Sequence, residues 1–248
     1  CLSFKSCSLD LYNEEEPDFA FDKLTLSFFE KFSGEGRQLV VYLKTVEYFP
    51  CNNFNISAMV LDSDSLLKIE ARNIEVPSIC INEIGPATRE IKLQSSELHL
   101  KPVVVYVNNH RHNFRFIESV EKIVLEQISD CNDHLIISND TLFRIPDNFV
   151  WGYYQASSQF NTNVLDSLLT AFYSSGATAF ILRDGHYHYF DVKDGVFTFP
   201  QQPEGALVGF GFKYVGADLS NLNRIAIARL PGIKLTLFDT FGNTFSSD

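Results

Sequence analysis

The sequence predicts an α+β protein, with a β-rich N-terminal part and a helix-and-antiparallel-sheet C-terminal part. Between Leu39 and Val107, short β-branched and aromatic runs alternate with turn residues at intervals of about ten, the texture of an antiparallel sheet or sandwich. From Phe116 to Ile128, Ile117, Val120, Val124 and Ile128 recur on one side, with Glu118, Glu121, Lys122 and Glu126 on the other, a helical period. After residue 140 there is no cysteine, and the only Trp of the chain, Trp151, follows. That shift divides the chain into 1–140, a scaffold or recognition domain, and 141–248.

The acidic cluster Glu14-Glu15-Glu16-Pro17-Asp18 reads as a solvated lead-in. Phe21 to Phe32 places Leu24, Phe28, Phe29 and Phe32 at helical spacing, with Gly34 and Gly36 as stop signals, so a short helix is expected. Strands are expected at Leu39–Leu43, Ile56–Leu61, Leu66–Ala71, Ile91–Leu93 and Val103–Val107. In the second part, a helix capped by Thr162 runs to Tyr173 and ends at Gly176. Ala179–Leu182 and His186–Phe190 form a hairpin through Asp184-Gly185, and Asp194-Gly195 turns into Val196–Phe199. Leu207–Phe212 and Ile233–Phe238 complete the sheet.

Charge and composition exclude several functions. With 31 Asp+Glu against 20 Lys+Arg and a net charge of −11, the chain lacks the basic stripe that nucleic-acid binding needs. No apolar run approaches the roughly 18 residues of a membrane span. The 23 Phe and 10 Tyr supply apolar area enough for a packed core. The five cysteines, Cys1, Cys7, Cys51, Cys80 and Cys131, are widely spread without a Cys-x-x-Cys pair, which argues against zinc. One or two disulfides fit this spread, and buried thiols in a reducing compartment are the plainer reading. Cys1 would suit a lipidated terminus, and Asn55-Ile56-Ser57 and Asn139-Asp140-Thr141 have the form of glycosylation acceptors.

The order Gln155, a helix start at Asn161 to Asn163, Gly185-His186-Tyr187-His188-Tyr189-Phe190-Asp191, then Pro203-Glu204-Gly205-Ala206-Leu207 resembles the papain-like cysteine proteases. The likeness is to their viral tegument and deubiquitinase-like branch, over residues 149–222. In that family a Gln stabilises the oxyanion, a cysteine begins the helix where the macrodipole lowers its pKa, and a strand carries Phe-Asp-x-His. Here no cysteine follows Cys131, and Lys193 stands where the histidine belongs. The resemblance therefore implies an inactivated protease-like fold, with Gln155, Asn163, His188, Asp191 and Lys193 marking a remnant cleft. It also implies a viral setting, intracellular or within a particle.

Other constellations carry less. His186 and His188 share a strand face and either Asp184 or Asp191 could orient one of them, or both are exposed hairpin residues. His110-Arg111-His112 suits a metal only with a third ligand, and reads as a surface loop. Ser157, Ser158 and Ser167 lack a Gly-x-Ser-x-Gly elbow. Acid pairs such as Asp62 with Asp64 and Asp191 with Asp194 read as solvated turns, and Gly205, Gly209, Gly211 and Gly216 form no phosphate loop. The surplus of Phe197, Phe199, Phe210, Phe212, Phe238, Phe241 and Phe245 implies either a two-layer core or contact with another surface.

The expected function is a noncatalytic structural or protein-interaction role without cofactor or metal, through a protein partner or self-association. The alternatives are a cysteine hydrolase using Cys131 beside Asp133 and His134, and a secreted or lipid-anchored binding module.

Overall fold

A computed structural model describes residues 20–81, 83–93, 101–128, 133–155, 162–200, 207–216, 219–230 and 232–247. Outside them lie the acidic lead-in, Cys1, Cys7, Cys131, Ser157, Ser158, Asn161 and the stretch 203–206, as does the side chain of Thr162. The chain is mostly β, 52% strand against 12% helix, which corrects the α+β papain-like expectation. Its largest element is a ten-stranded sheet that curls on itself.

Strands β1 (Leu24–Ser33), β2 (Gly36–Thr45), β3 (Asn55–Ser63), β4 (Leu66–Glu75) and β5 (Thr88–Lys92) supply one half of the sheet's sequence. The other half is β6 (Pro102–Val107), β7 (His110–Glu118), β8 (Lys122–Gln127), β9 (Leu135–Ile137) and β10 (Thr141–Phe143). Their order is β10-β8-β7-β6-β4-β3-β5-β2-β1-β9. Leu24, Leu26 and Phe28 of β1 point inward and meet β7 across the interior, where the rings of Phe28 and Phe116 lie 5.4 Å apart, edge to face. Every expected strand from Leu39 to Val107 is present.

Both helices expected in this part are strands. Of Phe21 to Phe32, all but the first three residues fall in β1, because Leu24, Leu26 and Phe28 alternate into the core while Phe29 and Phe32 are covered by the C-terminal part. Its burial on two sides imitates a helical stripe. In the stretch 116–128, the buried residues are Phe116, Ile123 and Leu125, whereas Val120 is 93% exposed. Val120 lies in the β7–β8 turn, where Ser119 Oγ accepts the amides of Glu121 (3.3 Å) and Lys122 (3.0 Å). His110-Arg111-His112 is likewise strand rather than loop. Asn108 and Asn109 both take left-handed φ, 48° and 68°, the two-residue hairpin geometry that Asn tolerates, and His112 is carried into the core.

The C-terminal part holds a four-stranded sheet, in the order β15-β11-β16-β17, built from β11 (Phe149–Gln155), β15 (Leu207–Lys213), β16 (Lys234–Asp239) and β17 (Thr244–Ser246). Helices α1 (Thr162–Ser174) and α2 (Leu219–Arg229) cover one face, packing Leu168, Phe172, Leu222 and Ala226 against Phe210, Phe212 and Leu235. Gly176, at φ 100°, ends α1 while the Ala177 amide reaches back to the Phe172 carbonyl (3.1 Å). A three-stranded ribbon of β12 (Gly185–His186), β13 (Asp191–Lys193) and β14 (Val196–Thr198) lies against the other face. The strand expected at 179–182 is absent from the described structure, and the tight turn lies at Tyr187–Phe190 instead, with His188 at φ 68°.

Except for Phe241, which is 55% exposed, the surplus phenylalanines occupy two layers. Phe210 and Phe212 face the helices, while Phe197 and Phe199 join Phe32, Trp151 and Phe190 in an aromatic layer between the two parts of the chain. A Cβ at Gly211 would overlap the Phe149 ring, so its missing side chain makes room for that layer. Glu30, 5% exposed, accepts Arg37 (2.7 Å) and Arg144 (2.9 Å), and Arg37 also binds the Ile145 carbonyl (2.8 Å). Tyr189 Oη accepts the amide of Phe32 (3.3 Å).

Of the two readings left open for the cysteines, the disulfide is the one formed for Cys51 and Cys80, in place of buried thiols. Cys51 and Cys80 are bonded, with Cα atoms 5.4 Å apart, clamping the loop after β4 to the segment before β3. Asn53 secures the same loop from the Ile79 carbonyl (2.7 Å) and the Ile81 amide (3.1 Å).

Candidate functional site

Alternation along β1 sends Ser27, Phe29 and Lys31 to the outer face of the curled sheet. The register places Tyr42 of β2 beside Ser27 and Glu90 of β5 beside Tyr42, so one row of side chains crosses three strands. Opposite stands the aromatic layer, with Trp151, Tyr153, Phe238 and Tyr189. Between the two lies a cleft of about 810 Å³, within the range of small-ligand and side-chain pockets. Trp151 stacks on Phe238 at 5.9 Å, and Tyr153 meets Phe199 edge-on at 5.1 Å. The rings brace one another, so the wall is formed before anything binds.

Charged groups surround this apolar floor. Lys31 and Glu90 pair at 3.1 Å, and His186 Nδ1 lies 2.7 Å from Asp191 Oδ1. Between these pairs sits His188, stacked face to face on Phe29 with ring centroids 3.8 Å apart. Burial pushes the His188 pKa down to about 4, helped by the charge of neighbouring His186, with Glu90 opposing. At neutral pH it is an uncharged aromatic wall.

That burial has a pH consequence with a defined sign. The unfolded chain protonates His188 near 6.5 and the folded chain only near 4, so the unfolded state binds more protons between those values. Stability is complete above pH 6.5 and falls as pH drops toward 4, on the order of 2 kcal/mol after allowing for the ring's remaining solvent contact. Urea unfolding at pH 7 and pH 4 is expected to show wild type losing that much more than His188→Asn, whose Asn suits the left-handed φ. Equal losses in the two proteins would contradict the assignment.

The residues singled out by sequence come together only in part. Asp191 orients His186, not His188. Asp184 is occupied elsewhere, its carboxylate accepting the Asp194 amide at 2.9 Å. Gln155 ends β11, paired with Leu207 and Lys234, and is not a lining residue of the cleft. Asn163 lies exposed in α1, on the opposite face of the four-stranded sheet from the ribbon that holds His188. Lys193 ends β13, exposed. No arrangement of nucleophile helix facing histidine strand is formed by these residues.

Near Cys131, Asp133 is exposed, and His134 stacks on His110 at 3.9 Å with its Nδ1 3.1 Å from the Asp22 carbonyl oxygen. His112 is fully buried, and burial lowers its pKa. Among the described residues no cluster of three or more His, Cys, Asp or Glu could hold a metal ion, and no helix is long and apolar enough to cross a membrane.

Sequence reasoning missed Ser27, Lys31, Tyr42 and Glu90. The signal for Ser27 and Lys31 was available in the period-two alternation of β1, hidden by the helical reading of Phe21 to Phe32, whereas Tyr42 and Glu90 join them only through the strand register. No protein-family model, curated protein or solved structure matches the chain.

Proposed function

We propose that the protein is a noncatalytic interaction module that receives aromatic or proline side chains of a protein partner in the cleft between β1 and β11. The carrying observation is the composition of that cleft, a floor of Tyr153 and Phe238 braced from behind by the buried Trp151, inside a rim of ion pairs. Interface hot spots have this anatomy: aromatic anchors such as Tyr at the centre, polar groups excluding water around them. The interaction role stands here on the cleft, without the viral setting, which rested on the resemblance alone. The Cys51–Cys80 bond favours an oxidising compartment, in line with the alternative of a secreted or anchored binding module.

Trp151 is the only Trp in the chain, so its fluorescence reports on this cleft alone. Peptides selected from a random display library on the folded protein are expected to carry Trp, Tyr, Phe or Pro anchors and to shift that emission on binding. Selected peptides that leave Trp151 emission unchanged would overturn the reading.

A further inference from the structure

Asn139 stands at the mouth of the aromatic cleft, and it opens one of the chain's two glycosylation acceptor triplets, Asn139-Asp140-Thr141. Its loop is fixed from both sides. The Ser138 amide donates to the Leu26 carbonyl (3.0 Å), carrying the chain past Ser27 of β1, and the Asp140 carbonyl accepts the Leu125 amide (2.8 Å) of β8. Between these anchors Asn139 is exposed, and among the described residues its side-chain amide has no hydrogen-bond partner. The other acceptor, Asn55, is also exposed, but it lies within β3, in register with Glu75 and Thr88, and does not line the cleft. The Cys51–Cys80 bond favours the oxidising compartment in which such triplets are modified. Among the described residues lining the cleft, Pro200 is the one aliphatic side chain, and the rest are aromatic or polar. A pyranose has the matching surface: C–H groups that lie flat on a ring, and hydroxyls at its edge. Ser27, Tyr42 and Ser138 face it with hydroxyls that make no hydrogen bond among the described residues.

We propose that Asn139 carries an N-linked glycan whose first sugar packs into the mouth of the cleft and restricts entry to it; the restriction rests on the binding role proposed for the cleft. In the transfer, the Asn139 side-chain nitrogen bonds to C1 of the sugar on a lipid-diphosphate oligosaccharide. The C1–O bond to the diphosphate breaks, the diphosphate leaves with the electron pair, and the amide nitrogen gives up one proton. No oxidant or reductant is needed. Thr141, whose hydroxyl donates to Asp140 Oδ1 (3.0 Å), supplies the hydroxyl that the acceptor triplet requires.

The test uses the full chain, directed through the secretory path of cultured animal cells by a cleavable signal sequence, with Asn55→Gln leaving a single acceptor. Intact mass is expected to show one glycan, lost in Asn139→Gln and Thr141→Ala and kept in Thr141→Ser. After an endoglycosidase trims it to one N-acetylglucosamine, the acetyl methyl is expected to give nuclear Overhauser contacts to the ring protons of Tyr42 or Tyr153. A peptide selected on the bare protein should bind the glycosylated form about tenfold more weakly than Asn139→Gln. An unmodified Asn139 overturns the proposal, as does a sugar without contacts to the cleft, and equal affinity for the two forms overturns the restriction. Mass and sugar contacts are read without peptide. If no peptide binds the bare protein, the binding role of the cleft fails, while those two readouts still decide the place of the sugar.

Discussion

Replacing Glu30 with alanine is expected to lower the unfolding free energy by about 3–5 kcal/mol, the usual cost of removing one partner from a buried ion pair. Glu30 sits at 5% exposure between Arg37 and Arg144, and those two guanidiniums would remain side by side with only the solvent-exposed Asp147 as counter-charge to Arg37. Asp147 is too exposed to replace it, since its bond to Arg37 is made in solvent. The effect reaches further than local stability. Arg37 comes from β2, Arg144 follows β10, and the Ile145 carbonyl that Arg37 also binds opens the C-terminal part. Denaturant unfolding of Glu30→Ala and of the milder Glu30→Gln checks this, and a loss below about 1 kcal/mol in both would contradict it.

Removing the Cys51–Cys80 bond is expected to cost about 3.5 kcal/mol, from the loop entropy that a cross-link over 29 residues takes from the unfolded chain. The comparison is between wild type and the Cys51→Ala, Cys80→Ala double variant, each unfolded with and without reductant. Wild type should fall to the level of the variant when reduced, and the variant should ignore reductant. A variant as stable as oxidised wild type would show that the bond constrains nothing that unfolding releases.

Much of the β architecture was legible because its signals are local. Strands β2 to β6 declare themselves by β-branched runs between turns, and Asp194-Gly195 turns β13 into β14 as expected. The two false helices show where local signals compete. Phe114, Phe116, Ile123 and Leu125 alternate as a hairpin requires, yet Ile117, Val120, Val124 and Ile128 trace a helical period through the same stretch. Ser119 decides between them through the two hydrogen bonds its Oγ accepts from backbone amides, which close the turn. In β1, burial of the second face comes from contacts with residues more than a hundred positions away, such as His188 on Phe29. α2 was passed over although Leu219, Leu222, Asn223 and Ala226 keep helical spacing, because its weakly apolar sequence lies between two clear strands.

The site was legible only as parts. His186, His188 and Asp191 stood out by spacing, but spacing left open which aspartate orients which imidazole, and the structure pairs Asp191 with His186. The facing row of Ser27, Tyr42 and Glu90 depends on the register of three strands, which no local pattern specifies. Cys51 and Cys80 are 29 positions apart, and their bond follows from the packing of the loop after β4.

The central claim is that the aromatic cleft is the binding surface, and the most direct measurement is the affinity of one selected peptide for wild type, Tyr153→Ala and Ile181→Ala. Tyr153 lines the cleft, whereas Ile181 is 88% exposed and does not. Tyr153→Ala is expected to weaken binding at least tenfold, about 1.4 kcal/mol, with Ile181→Ala unchanged. Equal affinity for all three proteins would contradict the claim.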